Sequence, residues 1–174
     1  DHTDRFTYGP VSLDEGGEVL APGDGSDPIQ IIDVRDFTEF MIHLGEDATM
    51  GLFNVVGPRI PRPMDQLLYG IRAVTTAETE FTWVDTDFLA SMGVRPYQEM
   101  PVWRPPTPGN EGFARFDLTP EIEAGLTFRP LAVTARDTLD YHRSRSPARR
   151  AEVRERMPAA REAEILAAWH RRNG

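Results

Sequence analysis

Residues 29–56 read IQIIDVRDFTEFMIHLGEDATMGLFNVV and carry the strongest indication of the fold. The run at 29–34 is nearly all apolar, which is typical of a strand buried on both faces of a sheet. Asp33 and Asp36 then precede apolar residues at helical spacing, which predicts an amphipathic helix with an acidic N-terminal cap. Residues 52–56 form a compact apolar run that predicts a second strand. The stretch therefore predicts a strand, a helix and another strand in succession.

Strands and helices also alternate on both sides of this stretch. Residues 18–23 predict a strand that runs into a turn rich in glycine and aspartate. The remaining pattern predicts strands at 80–84 and 113–118, helices at 63–74, 86–92, 119–125 and 131–143, and an ordered proline-rich loop at 95–112.

This alternation predicts an α/β fold. Two or three strands alone would leave exposed edges and unpaired apolar faces, so the pattern is typical of the end of a larger parallel sheet. A smaller mixed segment follows, and residues 146–174 are predicted to form a basic helical tail. Ile165, Leu166 and Trp169 share one face of the last helix, so the tail is expected to dock on the body.

Composition narrows the chemistry open to the chain. It contains no cysteine, and all 19 of its basic residues are arginine. This excludes disulfides, cysteine nucleophiles, a Schiff-base lysine, a P-loop lysine and the lysine of a Tyr-x-x-x-Lys pair. No apolar run approaches the ~20 residues of a membrane span. A cytoplasmic protein without a membrane partner is expected.

Charge is distributed unevenly along the chain. Residues 1–142 hold 24 acidic residues and 10 arginines, whereas residues 143–174 hold 4 acidic residues and 9 arginines. An acidic body argues against nucleic acid as a partner, because phosphate contacts need a basic face. The basic tail is interpreted as a solvated or intramolecular cover.

The usual catalytic constellations are missing from the sequence. Histidines stand far apart without ligands at suitable spacing, so no metal site is predicted from His2, His43, His142 and His170. The Gly23-x-Gly25 pair is interpreted as a turn, because a dinucleotide site needs a third glycine and a following helix. Asp33, Asp36 and Asp85 are interpreted as helix caps, and Ser12 as a turn or cap residue. No catalytic residue is assigned to this chain.

Three motifs occur in a recognisable order. They are Ile31-Ile32-Asp33-Val34-Arg35-Asp36 before a helix, Gly51-Leu52-Phe53-Asn54-Val55-Val56-Gly57 before the next helix, and Leu126-Thr127-Phe128-Arg129-Pro130-Leu131 before a closing helix. Together they resemble the C-terminal half of an extended short-chain dehydrogenase/reductase, a family that includes NAD-dependent epimerases and dehydratases. The resemblance covers residues 1–145.

The resemblance implies the C-terminal part of a Rossmann-like parallel sheet with a small mixed α/β substrate-binding lobe. Family members bind NAD or NADP through a glycine-rich turn and use a Tyr-x-x-x-Lys pair, and no position here matches either. The implied partner is therefore a missing N-terminal nucleotide-binding half, which supplies the cofactor site; this chain alone is expected to bind no cofactor. A homodimer is left open.

The implied function is substrate binding for an NAD(P)-dependent oxidoreductase that acts on a carbonyl or hydroxyl group. Arg5, Phe6 and Tyr8 would lie near the pocket mouth, and Trp83, Tyr97 and Trp103 are candidates to line the pocket, with core packing as the alternative for the tryptophans. Epimerases often place an arginine where this chain has Ile29, which favours a neutral or apolar carbonyl substrate. Two alternatives remain, a nucleotide-sugar epimerase or dehydratase lobe and a non-catalytic binding or interaction module.

Overall fold

The computed structural model describes residues 3–174. Its helices are α1 (Arg5–Glu15), α2 (Val34–Glu46), α3 (Met64–Arg72), α4 (Thr86–Ser91), α5 (Thr119–Glu123), α6 (Leu131–Ser144), α7 (Pro147–Ala151) and α8 (Ala159–Asn173), with a 3₁₀ turn at Glu152–Glu155. Its strands are β1 (Gly17–Pro22), β2 (Pro28–Ile29), β3 (Arg62–Pro63) and β4 (Thr79–Val84).

The strands form two small sheets. β1 and β4 pair in parallel, with Gly17 opposite Thr79 at one end and Pro22 opposite Val84 at the other. β2 and β3 form a two-residue antiparallel pair. The presence of both helices and a parallel strand pair confirms the predicted α/β class. β1 and β4 confirm the strands predicted at 18–23 and 80–84.

One hydrophobic core joins the helices to the parallel pair. α1 contributes Leu13, α3 contributes Ile71 and α4 contributes Leu89, each 0–1% exposed. The tail enters the same core, because Met157 and Ile165 are fully buried in it and Trp169 packs against it. The predicted docking of the tail is confirmed, while the boundary after residue 145 stays a prediction.

Two helix caps follow the sequence prediction and one does not. The Asp33 carboxylate accepts a hydrogen bond from the Arg35 backbone N–H at the start of α2, and Asp85 accepts from the backbone N–H groups of Asp87 and Phe88 at the start of α4. Asp36 is not a cap. It is buried and accepts hydrogen bonds from Arg129, 93 residues later in the chain.

The predicted strands at 29–34, 52–56 and 113–118 are wrong in most of their length. Only Pro28–Ile29 belongs to a strand, and residues 52–56 are without regular structure. Residues 113–115 form turns in which Phe113 N bonds Asn110 O and Arg115 N bonds Gly112 O. A strand requires a neighbouring strand for its backbone hydrogen bonds, and among the described residues only Ile29 in these three segments has one, opposite Arg62 of β3. The larger Rossmann-like sheet stays a prediction.

α1 is an element that the sequence analysis did not anticipate. Gly9-Pro10 lies inside it, and such a pair is an ordinary signal for a break, since proline cannot donate the helical hydrogen bond. Packing against α3 and α6 stabilises the helix despite this. Within residues 3–174 no helix has both the length and the apolar character needed to cross a bilayer.

Candidate functional site

Three of the predicted pocket residues lie in the first turns of α1. Phe6 and Tyr8 both line an apolar cavity between α1, β1, α3 and residues 100–102. Phe6 also lines a separate open cleft of about 410 Å³ beside α6. Its side chain therefore lies between the two spaces. We call the first space the apolar cavity and the second the α6 cleft.

The apolar cavity results from three local patterns. Met64, Leu67 and Ile71 follow helical spacing on α3 and point their side chains to one side. β1 adds Val19 and Leu20, and the loop after Met100 closes the far side. The cavity has a volume of about 40 Å³ and is partly open. Its lining holds no charged side chain; the residues are Phe6, Tyr8, Gly9, Ser12, Leu13, Val19, Leu20, Pro22, Met64, Leu67, Leu68, Ile71, Met100, Pro101 and Val102.

Tyr8 joins this apolar wall to the tail of the chain through its hydroxyl group. Its oxygen accepts a hydrogen bond from Arg154 Nη1 at 3.4 Å, and the Arg154 guanidinium carbon lies 5.4 Å from the ring centroid. Burial and the nearby Glu162 carboxylate raise the pKa of the Tyr8 phenol above its usual value, against the opposing effect of Arg154. Tyr8 therefore stays protonated over the whole physiological range.

Ser12 is the second hydroxyl in the wall. It lies one helical turn after Tyr8 and is 2% exposed, so its interpretation as a turn or cap residue is wrong. Its hydroxyl is near enough to Tyr8 to lower the phenol pKa, yet it makes no hydrogen bond of normal geometry among the described residues. The i, i+4 spacing of Tyr8 and Ser12 is visible in the sequence. A prediction of α1 from the sequence would therefore have placed both side chains on one face of this helix.

Arg5 and Tyr97 meet outside the apolar cavity. The Arg5 guanidinium carbon lies 5.2 Å from the Tyr97 ring centroid. Tyr97 also packs edge-on against Phe113, with the ring centroids 5.5 Å apart. Arg104 lies near both rings, 5.9 Å from Tyr97 and 5.2 Å from Phe113. The proline-rich loop thus contacts the N-terminal end of α1 through arginine–aromatic stacking.

The two tryptophan candidates lie elsewhere, around the turn that follows β1. Trp103 is 1% exposed, and its Nε1 donates to Asp27 Oδ2 at 2.7 Å. Trp83 lies against Gly25, where a Cβ atom would come within 3.0 Å of the ring. Trp83 and Trp169 line another cleft. Neither Trp83 nor Trp103 lines the apolar cavity, so the structure does not gather all six candidates into one pocket.

A charged cluster borders the α6 cleft. Arg35 donates to Asp33 Oδ2 at 2.7 Å and to Asp137 Oδ2 at 2.5 Å. The Arg35 hydrogen bonds hold the pKa of the Asp33 carboxyl well below its usual range, and a hydrogen bond from Thr134 adds to the effect. The cluster ties α2 to α6. The sequence predicts only one part of this charged cluster, the helix cap at Asp33.

A metal ion needs a group of ligating side chains, and a nicotinamide cofactor needs a glycine-rich turn before a helix. Across residues 3–174 no group of three or more His, Cys, Asp and Glu side chains could hold a metal ion. Gly23 and Gly25 belong to a turn that leads to β2 and not to a helix N-terminus, so they do not fit a pyrophosphate. Gly23 and Gly25 therefore supply no cradle for a pyrophosphate.

The fold and these spaces define a mixed α/β protein with a small parallel sheet and an apolar cavity beside its first helix. Comparison of the chain with protein-family models, with curated proteins and with solved structures found no match.

Proposed function

We propose that the chain is the substrate-binding, C-terminal portion of an NAD(P)-dependent oxidoreductase that acts on a carbonyl or hydroxyl group. The nicotinamide cofactor, which supplies the hydride chemistry, would be held by a separate nucleotide-binding half. The residues of this chain would bind and orient the substrate at the apolar cavity and at the Arg5 and Tyr97 stack.

The observation that carries the proposal is an exposed apolar surface on and after α2. Val34, Phe37 and Met41 form a stripe at helical spacing along α2. Val34 is 68% exposed, Met41 is 55% exposed, and beyond the helix Leu52 is 97% exposed. We call the side chains of Val34, Phe37, Met41, Ile42, Met50 and Leu52 the α2 apolar surface. Single exposed apolar residues are ordinary, but six of them on one helix and the segment that follows it are typical of an interface.

The segment 52–56 supports the same proposal. Its sequence is typical of a central strand in a parallel sheet, but its backbone joins no sheet among the described residues. Phe53 packs edge-on against Phe40, with the ring centroids 5.6 Å apart, which holds the segment along the inner side of α2. Addition to a sheet edge would satisfy its backbone groups and bury Leu52. A nucleotide-binding half built on a parallel sheet offers such an edge.

The test is to produce the chain together with the sequence encoded upstream of Asp1, and to measure NADH and NADPH binding by nicotinamide fluorescence. We expect saturable binding by the longer protein and none by the 174-residue chain. Met41→Asp in the longer protein should weaken cofactor binding at least tenfold, because a carboxylate in the buried interface prevents docking of the two halves.

Ala163→Asp is the matched control, since it places the same carboxylate on an exposed helical position of α8. Cofactor binding should be unchanged in that variant. If the longer protein binds neither nicotinamide, the oxidoreductase proposal is rejected. The α2 apolar surface would then favour the second candidate, a binding module without catalytic activity, because such a surface equally fits a protein partner.

A nucleotide-sugar epimerase lobe is the candidate within the same class. Ile29, which stands where epimerases often place a phosphate-binding arginine, is 1% exposed within β2. An apolar side chain at that position gives a diphosphate no partner. A nucleoside diphosphate that raised the melting temperature of the longer protein would favour the epimerase over the reductase.

A further inference from the structure

We infer that the apolar cavity binds a small neutral end group that carries one oxygen, such as an acetyl or 1-hydroxyethyl group, and that the hydroxyl of Ser12, beside the Tyr8 ring, holds this oxygen. The proposal names the chemistry of a ligand for this chain. Only the assignment of that ligand as the end of an oxidoreductase substrate rests on the proposed function.

The Ser12 hydroxyl is the first reason to expect a polar ligand atom. It is 2% exposed, and no hydrogen bond of normal geometry reaches it within the described part of the chain. Buried polar groups are nearly always hydrogen-bonded, because desolvation without a partner is costly. A ligand oxygen inside the cavity would provide the missing partner.

The Tyr8 ring forms the wall next to Ser12, one helical turn earlier on the same face of α1. The Tyr8 oxygen faces the tail, where it accepts from Arg154 Nη1 at 3.4 Å, and Arg154 does not line the cavity. The polar contact with the ligand is therefore assigned to Ser12.

The other walls decide the charge of the ligand. Met64, Leu67 and Ile71 of α3 face the cavity, and Met100 and Val102 close it. None of the lining residues is charged, so an ionised group would lose its water without gaining a counterion. A methyl group beside a carbonyl or hydroxyl carbon matches these apolar walls.

The volume limits the size of the bound group. The cavity measures about 40 Å³, whereas roughly 10–15 Å³ admits a water molecule and an engineered cavity of about 150 Å³ binds benzene. There is room for about three non-hydrogen atoms, which is the size of an acetyl group. Because the cavity is partly open, the rest of a larger ligand would extend outward.

The experiment uses the 174-residue chain with labelled methionine methyl groups and follows NMR shifts of Met64 and Met100. The probes are 2-butanone and its isostere 2-methyl-1-butene, in which a CH₂ group replaces the carbonyl oxygen. We expect saturable shifts at both methionines with both probes. The more apolar isostere gains more from leaving water, so the hydrogen bond is measured by the ratio of the two affinities, which should favour 2-butanone about fivefold more in the wild-type chain than in Ser12→Ala.

Two variants locate the hydrogen bond. Ser12→Ala should weaken the binding of 2-butanone about fivefold while the isostere binds as before. Ser91→Ala is the control, because the Ser91 hydroxyl donates to the Phe88 carbonyl in α4 and does not line the cavity; it should leave both affinities unchanged.

The inference is overturned if neither probe gives saturable shifts, which would mean that the cavity holds water only, or if Ser12→Ala leaves the ratio of the two affinities unchanged. If Ser12→Ala fails to fold, Ser12→Cys of similar size takes its place, because a thiol is a weak donor and should lower the ratio in the same direction. Since no cofactor and no second half are present, failure here leaves the oxidoreductase proposal standing, and loss of cofactor binding in the longer protein leaves the cavity assignment standing.

Discussion

Tyr8 connects the cavity wall to the tail at the scale of a single residue. Its ring lines the apolar cavity, while its oxygen accepts from Arg154 in the 3₁₀ turn of the tail. Arg154 in turn donates to Glu162 in α8 at 3.2 Å and also pairs with Glu15 at the end of α1. One phenol thus belongs to both the candidate site and the contact that closes the fold.

Tyr8 also predicts how stability depends on alkaline pH. The folded state raises the pKa of the phenol, so above the unfolded-state pKa of about 10 the unfolded chain loses this proton first. The free energy of unfolding therefore falls as pH rises through 10. For Tyr8 we expect a fall of about 1.4 kcal/mol between pH 9 and pH 11, measured by urea unfolding.

Tyr8→Phe should remove this part of the fall. Tyr69→Phe, at a tyrosine that is 51% exposed, is the control for the loss of a hydroxyl group. The chain has neither lysine nor cysteine side chains to titrate in this range, and its other three tyrosines are common to the wild type and Tyr8→Phe. Equal slopes for wild type and Tyr8→Phe would contradict the buried environment of the phenol.

At the scale of secondary-structure elements, α8 completes the edge of a two-stranded sheet. Glu162 is 5% exposed, and its Oε1 accepts from the Leu20 backbone N–H at 3.0 Å. That N–H belongs to β1, whose strand partner is β4. A carboxylate from the tail therefore satisfies a donor that a further strand would otherwise pair with.

Glu162→Ala should lower the free energy of unfolding by about 2–3 kcal/mol, because it leaves the Leu20 N–H and part of Arg154 without an acceptor in a buried place. Urea unfolding gives the change. Glu164→Ala is a matched control two residues later in the same helix, where the glutamate is 59% exposed and pairs with Arg161. Its effect should stay below about 1 kcal/mol. Similar losses for both variants would show that Glu162 contributes no more than a surface charge.

At the scale of the whole molecule, the α2 apolar surface sets how the chain behaves in solution. The chain carries a formal charge of −9, which opposes association. The exposed side chains at Met41 and Leu52 act in the other direction. We expect the isolated chain to bind the dye ANS, and to associate more strongly when salt screens the charge.

Met41→Asp combined with Leu52→Asp should reduce ANS fluorescence at least twofold and abolish the salt-dependent association seen by light scattering. Ala163→Asp combined with Ala167→Asp adds the same charge at exposed positions of α8 and serves as the control. If the control suppresses association equally, net charge is responsible and the α2 apolar surface is not.

Local interactions explain which parts of the fold and site the sequence predicted. Asp33 and Asp85 were identified as caps because a cap involves only the next two or three residues. The stripe of Met64, Leu67 and Ile71 was predicted for the same reason, since helical spacing alone defines it. A place for Phe6 and Tyr8 near the mouth of a substrate pocket follows only from the resemblance and stays a prediction. Their helix is not predicted, because Gly9-Pro10 indicates a break.

The sequence by itself determined the mixed α/β class, the main helices, the two strands that pair, the absence of lysine and cysteine chemistry, and the docking face of the tail. Only the tertiary structure decided that residues 52–56 lie without a strand partner, that Asp36 pairs with Arg129, that Trp103 bonds Asp27, and that Tyr8, Ser12 and Arg154 meet. The reason is physical: periodicity and capping act over a few residues, whereas strand pairing, buried ion pairs and cavity walls depend on groups far apart in the chain.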